Sequence, residues 1–441
     1  MGFEQTKSRR EFLKSLAGTA AVAGFPTIIP ASALGADGNV PPSDRIVMGS
    51  IGVGGQGGGH LRSLLNFNDV RVVGVCDVQQ TRRQNAKKSV DVRYGEDTCT
   101  AYNDFRELLA RPDIDAVLIA VPDHWHVLIG LEAARNGKHM YFEKPMGVSF
   151  AEAKAMREAV KRSGVTFQFG TQQRSQQQYR VVGELVQNGK IGQLKEILIA
   201  SATSQYIPNQ PEQPIPPGFD YDMWLGPAPW APYTAERCTR NFTLIYDYSL
   251  GCISGAWGVH DVDTAQWING TDDTGPVSIE GTGRLPKDGL YDTFDRWDIE
   301  HVYANGVKLR HMDYITATTV NDEFKNGRFA SMFIGTEGWI YVSRSEMRTN
   351  PPTLSRTGAG PNEKQLPRSN EHHRDFFNAI RKGTQPISPI DAAVRADTIC
   401  QQADIAIRLG RKLRWDPVRE QFDDAQANAM LCRPMRSPWH L

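Results

Sequence analysis

The tightest constraint on this chain is a glycine spacing. Gly52-Val53-Gly54-Gly55-Gln56-Gly57 follows directly on an apolar run, residues 45–51, that reads as a buried strand. A second apolar run over 70–76 ends in Asp77, twenty residues beyond Gly57. A strand feeding a G-x-G-x-x-G turn and then a helix, with an acid at that offset, is the signature of a dinucleotide-binding βαβ unit. Gly52 allows the tight turn, Gly54 lets backbone approach a pyrophosphate, and Gly57 lets the helix pack on the strand. The helix N-terminus then offers free N–H groups and the positive end of its dipole. Asp77 is placed to bind an adenosine ribose and to repel a 2′-phosphate. The expected cofactor is therefore NAD, with NADP the lesser alternative because Arg82 and Arg83 follow closely.

The alternation continues downstream. Residues 102–109 read as a helix, 115–121 as a central strand, 127–136 as a helix ending at Gly137, and 139–142 and 166–169 as further strands. Strands alternating with helices imply a doubly wound parallel sheet with its ligands at the carboxyl ends of the strands. In the second half, 194–202, 300–310 and 339–344 read as strands of another sheet. The expected fold is α/β: an N-terminal Rossmann sheet over 43–167, and an α/β domain with an open, mostly antiparallel sheet over 168–415. An arm over 416–441 follows.

Residues 1–36 read as an address rather than a fold. Ser8-Arg9-Arg10-Glu11-Phe12-Leu13-Lys14 is a twin-arginine run, an apolar stretch follows over 16–29, and Ala31-Ser32-Ala33 supplies a small-x-small cleavage pattern. Export to the periplasm or beyond is expected. The stretch is short and rich in Gly and Ala, so no stable membrane anchor is expected. With 50 Lys and Arg against 50 Asp and Glu, the chain lacks the basic excess that nucleic acid or an anionic membrane would select. Its six cysteines form no C-x-x-C and read as isolated, mostly buried thiols. His372-His373 reads as a surface or capping pair, and no metal site is expected.

Two polar clusters fall at predicted strand ends: Pro122-Asp123-His124-Trp125-His126 and Glu143-Lys144-Pro145. Gly170-Thr171-Gln172-Gln173-Arg174 and Gly258-Val259-His260-Asp261-Val262-Asp263 follow. In this order, together with the glycine turn, these segments resemble the Gfo/Idh/MocA family of nicotinamide-dependent oxidoreductases. The resemblance implies a carbohydrate or polyol substrate and a homo-oligomer, dimer or tetramer. It also implies that Pro122, Asp123, His126, Glu143, Lys144 and Arg174 line the cofactor.

Oxidising a carbinol needs a base for the hydroxyl proton and a polar group for the developing alkoxide. Lys144 and His260 match the family's catalytic lysine and histidine. The chain departs from the family at Ala256, where many members carry an Asp four residues before the histidine. Asp261, Asp263 or Asp247 is then left to orient His260, and Asp263 is ranked first. Lys144, Arg174, Asp247 and His260 are the expected substrate contacts. The resemblance and the twin-arginine run together give the expected function: an exported NAD(P)-dependent oxidoreductase acting by hydride transfer on a secondary hydroxyl of a sugar, glycoside or polyol, with tightly held cofactor because free NAD is scarce outside the cytoplasm. Two alternatives stay open, a redox-neutral glycosidase or lyase working through a 3-keto intermediate, and a non-catalytic sugar-binding relative.

Overall fold

Why the apolar runs become buried strands follows from what covers them. The computed structural model describes residues 40–326 and 329–441, and the expected address over 1–36 lies outside them. Residues 46–441 make one unit. Its first sheet contains β1 (Ile46–Ile51), β2 (Val70–Cys76), β3 (Thr100–Tyr102), β4 (Ala116–Ile119), β5 (His139–Phe142) and β6 (Phe167–Phe169). All are parallel, in the order β3-β2-β1-β4-β5-β6. Between them run α1 (Gly55–Leu64), α2 (Gln80–Tyr94), α3 (Phe105–Leu109), α4 (His126–Arg135) and α5 (Phe150–Ser163). Parallel strands with helical crossovers are covered on both faces, which is why β4 is apolar at every position. The order reverses where β1 meets β4, and the crevice at their carboxyl ends is where such sheets bind ligands.

After α6 (Gln177–Gln187) the chain builds a nine-stranded mixed sheet. It comprises β7 (Leu194–Ser201), β8 (Ser278–Arg284), β9 (Arg296–Val302), β10 (Lys308–Asp313), β11 (Ala330–Gly335), β12 (Trp339–Val342), β13 (Met347–Asn350), β14 (Leu413–Asp416) and β15 (Gln421–Phe422). The order is β13-β12-β11-β7-β10-β9-β8-β14-β15, antiparallel except for β7 against β10. Along β9, Trp297, Ile299 and His301 are buried while Asp298 and Glu300 are only partly so, the alternation of a sheet covered more fully on one face. The covering helices are α8 (Gly258–Asn269), which follows the short α7 (Tyr221–Leu225), and α11 (Ile390–Leu409), which follows α9 (Tyr314–Val320) and α10 (His372–Lys382). The run 300–310 is two strands rather than one. Gly306 turns with φ +83° after Asn305, the signature of a tight hairpin, and folds β10 back on β9.

The chain then returns to the first sheet. Phe376 and Phe377 of α10 join the core formed by Ile46, Met48 and Leu61. Phe169 N–H donates to Ser388 O at 2.9 Å, and Gln168 Nε2 donates to His372 O at 3.0 Å. The second sheet extends through β14 and β15 into the stretch expected as an arm, before α12 (Ala425–Ala429). Trp439 packs edge-on against Trp125 with ring centroids 4.6 Å apart.

Nothing lies within 4 Å of a Cβ built at Gly306, so Gly306→Ala tests backbone strain alone. A loss of about 1–2 kcal/mol is expected in urea denaturation, with nucleotide content unchanged.

Candidate active site

A cleft of about 690 Å³ begins at the glycine turn and runs to His260. Gly52 holds φ +77°, and a Cβ at Gly57 would lie 1.8 Å from Gly52 O. The helix is thus packed directly on the turn, and Gly52, Gly54 and Gly55 line the cleft with bare backbone, the cradle a pyrophosphate needs. Asp77 is buried beside it, accepting from Val53 N–H at 3.1 Å and Gln79 N–H at 2.9 Å. Burial pushes its carboxyl above the usual range, against those N–H groups and Arg82. The Arg82 guanidinium approaches so closely that a Cβ at Gly54 would meet its Nη1 at 2.9 Å. Arg83 turns away, to Asp77 O and Asn103. These features fit a dinucleotide.

The far end of the cleft carries the reactive groups. Lys144, just past β5, donates from Nζ to Gly255 O at 2.7 Å. Asp123, just past β4, packs on the other side of Gly255. A Cβ at Gly255 would fall 2.0 Å from Asp123 Oδ2 and 2.2 Å from Ser249 Oγ, so only glycine admits this carboxylate. Asp123 Oδ2 is buried without a hydrogen-bond partner. Burial pushes this carboxyl up to about 7, with Lys144 and Ser249 opposing the rise. His260 sits in the first turn of α8 with Nδ1 buried and unpartnered. Burial, then the Lys144 and Arg344 charges, hold its imidazole neutral, well below the ordinary histidine range.

Pro122, His126 and Glu143 complete this wall. His126 bridges the two motif segments, with Nδ1 at 2.5 Å from Pro145 O and Nε2 at 2.9 Å from Val121 O. Glu143 is paired with His60 Nε2 and Gln172 Nε2, each at 2.8 Å. Burial works against its charge, but His60 and Lys144 hold its carboxyl far below the usual range.

Arg174 and Asp263 lie elsewhere than expected. The Arg174 guanidinium is 2% exposed and faces Asp263 at 2.7 Å and Asp272 at 2.7 Å, not the cleft. Burial disfavours its charge, and the two carboxylates more than restore it. Asp263, one turn into a helix buried on nearly every side, is consumed by that pair and does not orient His260. Asp261 accepts from Gln173 Nε2 and from Trp257 Nε1 instead. Asp247 is exposed and outside the cleft lining. Trp257 and Arg344 line the cleft although no sequence pattern marked them, and the Arg344 guanidinium stacks 4.5 Å from the Trp257 ring centre. His372 and His373 are buried rather than superficial, because α10 packs onto Tyr141 of the first sheet. Glu371, not either histidine, caps α10.

Comparison with known proteins places two family descriptions on the chain: "oxidoreductase family, NAD-binding Rossmann fold" over residues 46–171, and "oxidoreductase family, C-terminal alpha/beta domain" over 178–441. An uncharacterized oxidoreductase, YrbE of Bacillus subtilis, is 29% identical over 230 residues, 52% of this chain and 55% of its own. Myo-inositol 2-dehydrogenase of Thermotoga maritima is 29% identical over 174 residues, 40% of this chain and 47% of its own. The chain thus spans about half the length of these curated relatives. The crystal structure of aldose-aldose oxidoreductase from Caulobacter crescentus, complexed with glycerol, superposes with TM-score 0.61 at 17% identity, over 84% of this chain and 99% of that one. At that identity the likeness is one of fold.

Removing one member of a buried ion pair strands the others. Arg174→Met, which leaves Asp263 and Asp272 uncompensated, is expected to cost about 3–5 kcal/mol, read as a lowered denaturation midpoint.

Proposed function

The chain belongs to the Gfo/Idh/MocA oxidoreductase family, and on that premise we propose that it is an exported NAD-dependent oxidoreductase. Its substrate is a sugar, glycoside or polyol, oxidised at a secondary hydroxyl, and it acts as a homo-oligomer. The observation that carries this reading is the juxtaposition on one cleft wall of a neutral, unpartnered His260 and the Lys144 ammonium, the latter flanked by Asp123. NAD, when bound, supplies a hydride acceptor. The glycine turn and Asp77 would hold its pyrophosphate and adenosine ribose. Asp77 favours NAD over NADP, and Arg82 tempers that choice.

On the substrate side, Lys144 donates a hydrogen bond to the reacting oxygen and stabilises negative charge as the hydroxyl proton leaves. His260, held neutral by its surroundings, accepts that proton. Ionised Asp123 and the Lys144 ammonium favour each other's charge across this wall. Trp125, Trp224 and Trp257 line the cleft, aromatic surroundings of the kind that suit the CH surface of a sugar ring. Free NAD is scarce outside the cytoplasm, so tightly held cofactor is part of this proposal.

The protein is purified without added nucleotide, dialysed, denatured, and the released nucleotide identified. Near-stoichiometric NAD or NADH is expected, and a protein that is empty and binds none refutes the oxidoreductase. Product masses from a sugar and polyol panel then decide the chemistry. Loss of two hydrogens is expected. A net gain of water marks the glycosidase, and no conversion the binding protein.

Lys144→Met and His260→Gln are each expected to lower kcat about 10²–10⁴-fold while nucleotide stays bound. The raised carboxyl of Asp123 keeps its proton until about pH 7. Oxidation is therefore expected to rise as pH climbs through that value, and Asp123→Asn to abolish the step in the pH–rate profile.

A further inference from the structure

A line of four titratable side chains leads away from the cleft. Glu143, on the wall beside Lys144, meets His60 Nε2 at 2.8 Å, and His60 Nδ1 meets His373 Nε2 at 2.8 Å. His373 Nδ1 meets Glu371 Oε1 at 2.9 Å. His60 and His373 are each 7% exposed, whereas the Glu371 side chain is 45% exposed. The line thus starts at the cleft and ends in solvent. Its members come from α1, the end of β5 and the start of α10, so only the return of the chain to the first sheet assembles it.

Proton counting gives the line its character. A carboxylate only accepts, so His60 Nε2 carries a proton towards Glu143 and His373 Nδ1 carries one towards Glu371. The contact between the two rings needs a third. Two neutral imidazoles carry only two ring protons between them, so the line holds one more, and with it one positive charge between two carboxylates. The surroundings suit that charge. Tyr141 stacks on His373 at 4.7 Å and lies 5.2 Å from His60, its hydroxyl taken by Gln172. His372 is bound to Ser175 and Phe169 O, and Arg374 to Asp69. Lys144 and His260 face Glu143 from the cleft side, and the Gln56 amide, 3.1 Å from His60 Nε2, can present its oxygen by a half-turn. Burial raises Glu371, yet its bonds to His373 and to the N–H groups of α10 bring it down to about 2.

We propose that Glu143, His60, His373 and Glu371 form a proton-exchange chain, connecting the cleft wall to solvent and holding Glu143 ionised. When Glu143 takes up a proton with each ring neutral and protonated at Nδ1, that proton moves to His60 Nε2 and gives the charged line; the inter-ring proton then passes from His60 Nδ1 to His373 Nε2, and His373 Nδ1 releases its own to Glu371 and water. No bond other than N–H and O–H changes, and no electron moves. This rests on the oxidoreductase reading, because hydroxyl oxidation is the step that liberates a proton inside the cleft. His60 and His373 are positioning residues in that reaction.

The test is ring ¹⁵N spectroscopy on the full-length, histidine-labelled protein with NAD present, independent of turnover. Near pH 7, three protonated nitrogens shared by His60 and His373 are expected. Glu371→Gln, a change at the solvent end that keeps a capping oxygen, should remove the shared proton from both rings together at that pH. Two neutral rings in the wild type, or rings that ignore Glu371→Gln, overturn the proposal. The second measurement follows proton release with a pH-indicator dye during a single turnover. His373→Gln should slow release at least about tenfold while nucleotide binding is unchanged. Unslowed release overturns the exchange role. If no substrate is oxidised at all, the oxidoreductase reading fails separately and the ring spectra still decide the chain.

Discussion

The hydrogen bond from Lys144 Nζ to Gly255 O is the seam on which this molecule depends. Lysine and acceptor lie more than a hundred residues apart, one at the edge of a parallel sheet and the other in the loop that launches α8. Asp123 leans on the same glycine from the neighbouring strand end. The Lys144 charge favours the ionised form of buried Asp123, and both side chains reach from the first sheet to the one backbone position at Gly255, so this contact as well as apolar packing holds the loop before α8 in register with the strand ends. That register sets the distance between the glycine turn and His260.

What could be read in the sequence was local. The glycine spacing, the offset of Asp77 and the Glu143-Lys144-Pro145 cluster announce themselves within short windows, and the parallel sheet followed from the alternation of apolar runs. The Asn305-Gly306 turn was equally local and was read through as strand. What stayed hidden depends on distant partners. Arg174 and Asp263 looked like site residues until Asp272, from the loop after α8, took up the rest of the guanidinium. His372 and His373 looked superficial because their burial comes from packing on Tyr141, across more than two hundred residues of chain. Arg344 and Trp257 carry no motif, and only the closure of the second sheet brings them to the cleft.

The core is unusually invested in ionisable groups. Burial raises Asp123, Glu152, Asp261 and Asp397 to about 7, so the native state keeps protons that an unfolded chain releases near 4. These acids withdraw stability as pH rises through that window. Burial lowers His124, His126 and His372 to about 4, so they add stability as pH rises from there towards 6.5. The two sets oppose each other, which lets a site tuned to titrate near neutrality sit in a fold whose own stability changes less over the same range.

The cysteines have a practical consequence. Cys76, Cys99, Cys238, Cys252 and Cys400 are buried and unpaired, and burial raises every one of these thiols, whereas Cys432 is exposed. The native protein therefore presents one accessible nucleophilic sulfur, close to its carboxyl end, without any engineering. A fluorophore or spin label added under native conditions attaches at a single defined point, on the segment that leads to Trp439 and the back of the cleft.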